Sequence, residues 1–174
     1  STKEVLLDEK KYIVENNEAV KVEGGKIMDM TKVFIVHGHD NEAKQETARF
    51  IERMGLNAII LHEQVNQGRT IIEKIEENTN VGFAIILYTP CDLGKAKNDL
   101  DLKDRARQNV IFEHGYLIGK LGRQRVSALV KGNVEKPNDI SGVVYIDMDN
   151  GGGWKVPLAR EMQSVGYEID MNKI

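Results

Sequence analysis

One stretch of this sequence, residues 83–88, restricts the possible folds more than any other, because all of its residues are apolar or aromatic. A surface helix or a half-exposed strand would mix polar and apolar positions, whereas a strand that is buried on both faces does not. Thr89 and Pro90 follow directly and end the run. We therefore predict a strand in the middle of a parallel sheet, with helices on both sides.

Four more short apolar runs indicate strands, and stretches with helical periodicity separate them. The predicted strands are residues 32–36, 58–61, 125–130 and 142–146. Asp40 or Asn41 can cap the helix after the first strand, and Thr70 with Glu73 has the spacing of a capping box. A final helix is predicted over residues 154–165. Because strands and helices alternate, we predict βαβ units and a doubly wound α/β domain.

Three polar segments should meet at one edge of this sheet. In doubly wound folds, ligands bind at the carboxyl ends of the strands, where residues 37–40, 62–69 and 89–92 emerge. A polar loop then extends from residue 91 to 108 and is longer than most connections in compact domains. We expect these loops to line the pocket.

Glu113 interrupts an otherwise apolar stripe on the predicted helix after the third strand. At helical spacing, one face of this helix carries Val110, Glu113, His114, Leu117, Ile118 and Leu121. Asn109 can cap the helix, and Arg105 and Arg107 supply cations in front of it. Two interpretations remain open: Glu113 forms a structural ion pair with a nearby arginine, or it faces a pocket.

Composition argues against several classes of function. A net charge of -3 over 174 residues gives no general attraction to nucleic acid, and no apolar run approaches the ~20 residues that span a bilayer. Cys91 is the only cysteine, which excludes an internal disulfide and suits a reducing cytoplasm. Residues 1–31 end in a turn signal, and Ser1 opens no signal segment. We expect this part, as a short helix or as strands, to be a tail or linker from a larger parent protein.

Other residues carry weaker signals. His37 and His39 could face one way and bind a metal, but no cysteine or carboxylate cluster completes a ligand set, so no metal is predicted. Gly38 either lets a ligand come close or permits a turn. Residues 66–69 offer amides and a guanidinium to a phosphate, or form a solvated loop. Cys91 has no base beside it and is not expected to be a nucleophile.

Several motifs, in this order along the chain, resemble the bacterial TIR-like family. They are VFIVHGHD at 33–40, EQVNQGRTIIEK at 63–74, the strand at 82–90, and RARQNVIFE at 105–113. More narrowly, they are similar to the branch described as predicted nucleotide-binding. That branch includes effector domains of anti-phage cyclic-nucleotide systems and TIR domains fused to STING. The resemblance covers about residues 32–170 and leaves residues 1–31 outside it.

The resemblance implies a flavodoxin-like sheet of five parallel strands over a domain of residues 32–174. In many members it also implies NAD+ glycohydrolase activity, with NAD+ as substrate and no separate cofactor. By position, Glu113 is then the essential glutamate, and the loop at residues 62–70 mediates self-association. The residues expected to bind NAD+ are His37, Gly38, His39, Asp40, Arg69, Thr89, Arg107 and Asn109. Many TIR domains carry Ser-Tyr or an Arg after the first strand, so the histidines of this chain should change the base and phosphate contacts.

Cleavage of this bond needs only one carboxylate. Nicotinamide leaves a cationic pyridinium as a neutral base, so no second group has to protonate it. Glu113 would hydrogen-bond the ribose hydroxyls and stabilise the oxocarbenium-like charge, while water or the adenine of the same molecule attacks. The products would be nicotinamide and ADP-ribose or cyclic ADP-ribose.

The whole protein is expected to be a cytoplasmic effector of bacterial anti-phage defence. A sensor domain in the parent protein would trigger self-assembly, and assembly would switch on cleavage of NAD+. Two alternatives remain. One is a non-catalytic module that binds nucleotide or other TIR domains, and the other is a nucleoside N-glycosyl transferase that uses the same carboxylate.

Overall fold

The computed structural model describes residues 3–7, 10–15, 18–23, 26–61, 70–78, 80–137 and 142–174. Ten strands and four α-helices lie within these residues. They are β1 (Lys3–Leu7), β2 (Lys10–Glu15), β3 (Glu18–Glu23), β4 (Lys26–Val36), α1 (Asn41–Arg53), β5 (Asn57–Leu61), α2 (Ile71–Glu77), β6 (Val81–Tyr88), β7 (Asp92–Gly94), β8 (Lys103–Arg105), α3 (Gln108–Leu121), β9 (Val126–Val130), β10 (Val144–Asp147) and α4 (Lys155–Ser164). No helix of the described residues is both long and apolar enough to cross a membrane.

Five parallel strands form the centre of the structure. β4 pairs with β5 and β6, β6 also pairs with β9, and β9 pairs with β10. The spatial order is therefore β5-β4-β6-β9-β10, which is the 2-1-3-4-5 order of flavodoxin-like folds. β6 occupies the middle of these strands, and all eight of its residues are buried. The predicted central strand and the predicted doubly wound α/β fold are both confirmed.

Each face of the sheet supports its own core, because successive side chains of a strand point to opposite faces. Ile35 of β4 belongs to the core beneath α1 and α4, where Phe50 and Trp154 pack edge to face with ring centroids 5.3 Å apart. Phe34, its neighbour in sequence, belongs to the opposite core beneath α2 and α3, together with Leu117. The sheet is thus covered on both sides.

β4 is longer than predicted and carries an antiparallel extension. The predicted strand started at Lys32, but β4 begins at Lys26. Its first three residues pair antiparallel with β3, and β2 and β1 continue the same meander. The segment that the sequence left open between a short helix and strands therefore contains strands. Its origin as a tail or linker of a larger protein stays a prediction.

The first two helices begin where their capping residues predict. The Asp40 carboxylate accepts the backbone N–H of Ala43 at 2.9 Å and caps α1. At α2, the Thr70 hydroxyl accepts the N–H of Glu73 at 3.2 Å, and the Glu73 carboxylate accepts the N–H of Thr70 at 2.6 Å. The predicted capping box is therefore present.

Two predictions about the segment in front of α3 were wrong. Residues 91–108 are not one continuous loop, because β7 and β8 pair within it as an antiparallel hairpin. Strands of three residues are too short to show a period-two pattern, so they could not be predicted from the sequence. The predicted cap, Asn109, lies inside the first turn of α3. The helix begins at Gln108 because Arg107 takes the N-cap position, without a capping bond from its side chain.

Shortening Leu117 to alanine should lower the free energy of unfolding by about 2–5 kcal/mol, because a buried leucine leaves a cavity when it is truncated. Leu117 is 0% exposed, whereas Phe112 on the same helix is 60% exposed. Phe112→Ala is therefore the matched control and should change stability by less than about 0.5 kcal/mol. Urea unfolding measures both variants, and an equal loss in the two would contradict the orientation of α3.

Candidate functional site

Two loops meet at the carboxyl edge of the central strands. His37 and His39 follow β4, while Thr89 and Cys91 follow β6, which lies beside it. The backbone N–H of His39 donates to the Cys91 sulfur at 3.3 Å, and the Thr89 hydroxyl lies 3.1 Å from the same sulfur. The structure thus brings together the first and third of the segments that the sequence placed at this edge.

Gly38 sits at a close approach between these loops and the residue before α3. A Cβ atom at this position would lie 3.0 Å from both the Cys91 sulfur and Cγ of Arg107. A side chain could enter only if those neighbours moved, because protein interiors are close-packed. Gly38 is not among the described glycines with a positive φ, so a turn does not explain it. The lack of a side chain at Gly38 lets the loop pack against Arg107 and Cys91.

Arg107 places a cation at the same edge. Its Nη1 donates to Nε2 of His39 at 2.8 Å, and its Nε lies 3.7 Å from a carboxylate oxygen of Asp92. Since an arginine can only donate, the His39 ring accepts at Nε2. Arg107 stands at the N-cap of α3 and its side chain makes no capping bond to the helix. The guanidinium and the positive end of the helix dipole lie together, an arrangement that favours binding of an anion.

Asp40 connects two elements at this edge. Besides capping α1, it accepts a hydrogen bond from Lys131 at 2.9 Å, and Lys131 also donates to Glu42 at 2.9 Å. Burial opposes ionisation of Asp40, but the Ala43 N–H and Lys131 outweigh burial and lower its pKa. The hydrogen bonds to Glu42 and Asp40 raise the pKa of Lys131. This ion cluster ties the end of β9 to the start of α1.

Glu113 lies on the buried face of α3. It is 5% exposed, and its helical neighbours Val110, His114 and Leu117 are exposed by 1% or less. The predicted stripe is confirmed for these four residues, and its last two members are half-buried. At a rise of ~1.5 Å per residue, Glu113 lies about 9 Å along the helix axis from Arg107. The buried carboxylate and the cation are thus separated by nearly two turns of α3.

His114, which follows Glu113, fastens α3 to the end of β6. Its Nδ1 lies 2.8 Å from the Tyr88 hydroxyl, and the rings of Tyr88, His114 and Tyr145 meet edge to face with centroids 5.6 to 6.2 Å apart. Burial lowers the pKa of His114 to about 4, so its ring is neutral at pH 7 and shares one hydrogen bond with the Tyr88 hydroxyl at Nδ1. Burial, with Tyr145 nearby, raises the pKa of Tyr88. This contact holds the helix that carries Glu113.

Residues 32–150 match the family model described as CAP12/Pycsar effector protein, TIR domain. This chain belongs to that TIR-domain family. The matched residues begin within β4 and extend past β10, so they include all five parallel strands and Glu113. The resemblance that the motifs indicated is therefore confirmed.

Two relatives are similar to this TIR domain over most of its length. It is 52% identical over 143 residues to the uncharacterized protein YuaY of Escherichia coli (strain K12), an alignment that covers 82% of this chain and 48% of YuaY. It is 42% identical over 127 residues to the protein tirC of Dictyostelium discoideum, covering 67% of this chain and 63% of tirC. The chain thus spans about half the length of YuaY and less than two-thirds of tirC.

Of the two remaining residues that were predicted to bind NAD+, the structure describes Asn109 but not Arg69. Asn109 is exposed on α3, and Arg69 lies outside the described residues together with the rest of segment 62–69. Lys131 was not singled out from the sequence, although it directly follows β9 and the rule that placed the other loops at this edge applies to it equally. Within the described residues, no three His, Cys, Asp or Glu side chains form a group that could hold a metal ion.

A cavity of about 510 Å³ lies elsewhere in this TIR domain. Side chains of α1, among them Arg49 and Phe50, line it together with Lys155, Lys173 and Ile174. α1 and α4 cover one face of the sheet, whereas α3 and Glu113 lie on the other face. This cavity is therefore separate from Glu113. Its size alone does not make it a catalytic site.

Acidification should destabilise the TIR domain through His114. The folded-state pKa of about 4 lies below the ordinary value of 6.5, so the unfolded chain binds the proton first as pH falls. Stability from this group is complete near neutrality and is lost between pH 6.5 and pH 4. Lowering the pH from 7 to 4.5 should cost about 2 kcal/mol in the free energy of unfolding. His114→Asn keeps a hydrogen-bonding group for Tyr88 but cannot titrate, so urea unfolding should show a smaller loss. An equal loss in wild type and variant would contradict this role.

Proposed function

We propose that this TIR domain cleaves the bond between nicotinamide and ribose in NAD+, with Glu113 as the catalytic group. The observation that carries this proposal is the 5% exposure of a glutamate on the face of α3 that otherwise carries Val110, His114 and Leu117. A carboxylate at such a position costs free energy, since burial removes it from water. A domain that only binds partner proteins gains nothing from a buried carboxylate. A site that must stabilise positive charge needs one.

The reaction is a substitution at C1′ of the nicotinamide ribose. The C1′–N bond breaks, and both of its electrons go to the ring nitrogen, which turns the cationic pyridinium into neutral nicotinamide. Positive charge develops on the ribose as the bond lengthens. Glu113 would accept hydrogen bonds from the ribose hydroxyls and stabilise that charge, an effect that is strengthened in a site of low dielectric constant. Water then bonds to C1′ and releases a proton, or the adenine of the same molecule attacks and closes a ring.

The pyrophosphate of NAD+ would lie at the N-terminus of α3. Arg107 offers a guanidinium there, and His39, held by Arg107 at 2.8 Å, lies on the loop beside it. Arginine suits phosphate because its planar fork donates two parallel hydrogen bonds. The tight packing at Gly38 keeps this loop close to α3. Thr89 and Asp40 would then act mainly by holding the loops, since their side chains contact Cys91 and Lys131.

Cleavage would be coupled to assembly of several copies. The family to which this chain belongs is described as an effector TIR domain, and the chain spans about half of the relative YuaY. We propose that a further part of the whole protein senses a signal and brings TIR domains together, with loop 62–70 at one contact. The cellular role would be that of an effector in bacterial anti-phage defence.

Replacing Glu113 by glutamine should reduce nicotinamide release by at least about 100-fold, because the amide has nearly the same shape but lacks the charge. The assay is chromatography of NAD+ products from protein in dilute solution and from protein clustered on beads. Clustered wild type should release nicotinamide. Glu52→Gln, which changes an exposed glutamate of α1, is the matched control and should behave as wild type.

The possible results separate the candidate functions. Equal turnover by Glu113→Gln and wild type would refute the role of Glu113, provided that thermal unfolding shows both to be folded. Nicotinamide without ADP-ribose or its cyclic form would indicate transfer of the ribosyl group to another acceptor. No nicotinamide from clustered wild type would favour a module that only binds nucleotide or other TIR domains.

A further inference from the structure

The hairpin of β7 and β8 exposes apolar side chains to solvent. Leu93, Leu100 and Leu102 are 65%, 93% and 58% exposed, and we call these three side chains the hairpin surface. Among the other large hydrophobic residues that the structure describes, Phe112 is exposed to a comparable degree, at 60%, and Val156 is exposed by 36%. Scattered single apolar residues on a surface need no explanation, but a group of leucines within ten positions of one another does.

The pairing register explains why Leu93 and Leu102 face outward. Asp92 pairs with Arg105 and Gly94 with Lys103, so these four residues share one face of the hairpin, while Leu93 belongs to the other face. Leu102 lies two residues before Asp104, the partner of Leu93. Side chains two residues apart share a face, so Leu102 continues the outer face. Asp92, Lys103 and Arg105 thus share the inner face, whereas Leu93 and Leu102 share the outer face with Asp104.

Contacts on the inner face hold the hairpin in this orientation. Arg105 forms an ion pair with Glu135, and Lys103 lies 3.7 Å from the same carboxylate. The backbone N–H of Glu135 also donates to the carbonyl of Asp104 at 2.8 Å. Gly94 is covered by the Arg105 side chain, whose Nη1 would lie 2.8 Å from a Cβ at that position. Because the inner face is engaged, the leucines cannot turn inward without breaking these pairs.

We propose that the hairpin surface is a contact between two copies of this TIR domain, separate from the loop at residues 62–70. Summed over the three leucines, the exposed area is on the order of 400 Å². A stable dimer needs roughly 800 Å² from each partner. The hairpin surface alone therefore supports a weak contact, which forms when copies are already held at high local concentration.

The charges around the leucines favour a second copy of this chain over a nucleic acid or an anionic membrane. Lys95 and Lys97 supply two exposed cations on the hairpin, and Asp101 and Asp104 supply two exposed anions. In a two-fold contact each patch meets its own copy, so the lysines of one hairpin can lie against the aspartates of the other. A nucleic acid or an anionic membrane would be attracted by a surface of one sign, which this one is not.

The contact adjoins the proposed catalytic machinery. Arg107 follows β8 after a single residue, and Asp92 of β7 lies 3.7 Å from its Nε. Pairing of two hairpins would restrict the motion of both strands and so of the guanidinium that we assign to the pyrophosphate. This link to activity rests on the proposed function, whereas the contact itself can be tested without NAD+.

The contact is tested first by cross-linking. A photoreactive amino acid at position 100 should yield covalent dimers in purified protein clustered on beads, and the same probe at position 156 on α4 should not. Glu113→Gln in this background should give as much dimer as the active chain. Monomer alone at position 100, with cross-linked dimers forming at position 156, would overturn the proposal, and so would equal dimer yields at the two positions.

A second measurement uses the triple variant Leu93→Ser, Leu100→Ser, Leu102→Ser, with Val156→Ser as matched control. The triple variant should dimerise at least ~10-fold more weakly in sedimentation equilibrium and should release nicotinamide more slowly only when clustered. Unchanged dimerisation would overturn the contact even if NAD+ is cleaved. A higher KM in both dilute and clustered protein would overturn it too, because the leucines would then cover the chain's own substrate. Failure of wild type to cleave NAD+ would reject the proposed function and leave the dimerisation result valid.

Discussion

The parallel register of β6 between β4 and β9 determines where the polar side chains of this TIR domain meet. Since the three strands run in the same direction, the residues that follow them emerge at one edge. His39 and Cys91 are 52 positions apart in sequence and still share a hydrogen bond. Lys131, which follows β9, reaches back to Asp40 at the same edge. The parallel pairing of β6 with β4 and β9 therefore stabilises the core and also assembles the candidate site.

Two features of α3 and the hairpin in front of it depart from the usual distribution of polar and apolar side chains. Glu113 places a carboxylate on the buried stripe of α3, and the hairpin of β7 and β8 turns leucines toward solvent. Each costs free energy in an isolated domain, the first by desolvation and the second by exposure of apolar surface. Violations of local pattern in natural proteins concentrate at functional sites. That both occur on consecutive elements, joined through Arg107, supports one function that uses them together.

The features that were predicted correctly from the sequence depend on residues close together along the chain. The apolar run of β6 and the capping box of Thr70 and Glu73 are local patterns, and both were found. Gly38 could not be understood from its neighbours, because the atoms that require it belong to Cys91 and Arg107.

Two parts of the structure were missed for related physical reasons. The hairpin of β7 and β8 consists of three-residue strands with no readable period, and its orientation is fixed by Glu135, about thirty residues later in the chain. The first three residues of β4 depend on antiparallel pairing with β3, which the local composition of residues 1–31 does not specify. In both cases the decisive contact lies outside the segment itself.

The central claim is that Glu113 faces the ribose from which nicotinamide leaves. The most direct measurement is a crystal structure of Glu113→Gln with NAD+, since this variant should bind the substrate without consuming it. The account predicts the side chain of residue 113 within hydrogen-bond distance of the nicotinamide ribose hydroxyls, with the pyrophosphate at Arg107. NAD+ bound with that ribose away from residue 113, for example in the cavity beside α1, would contradict it.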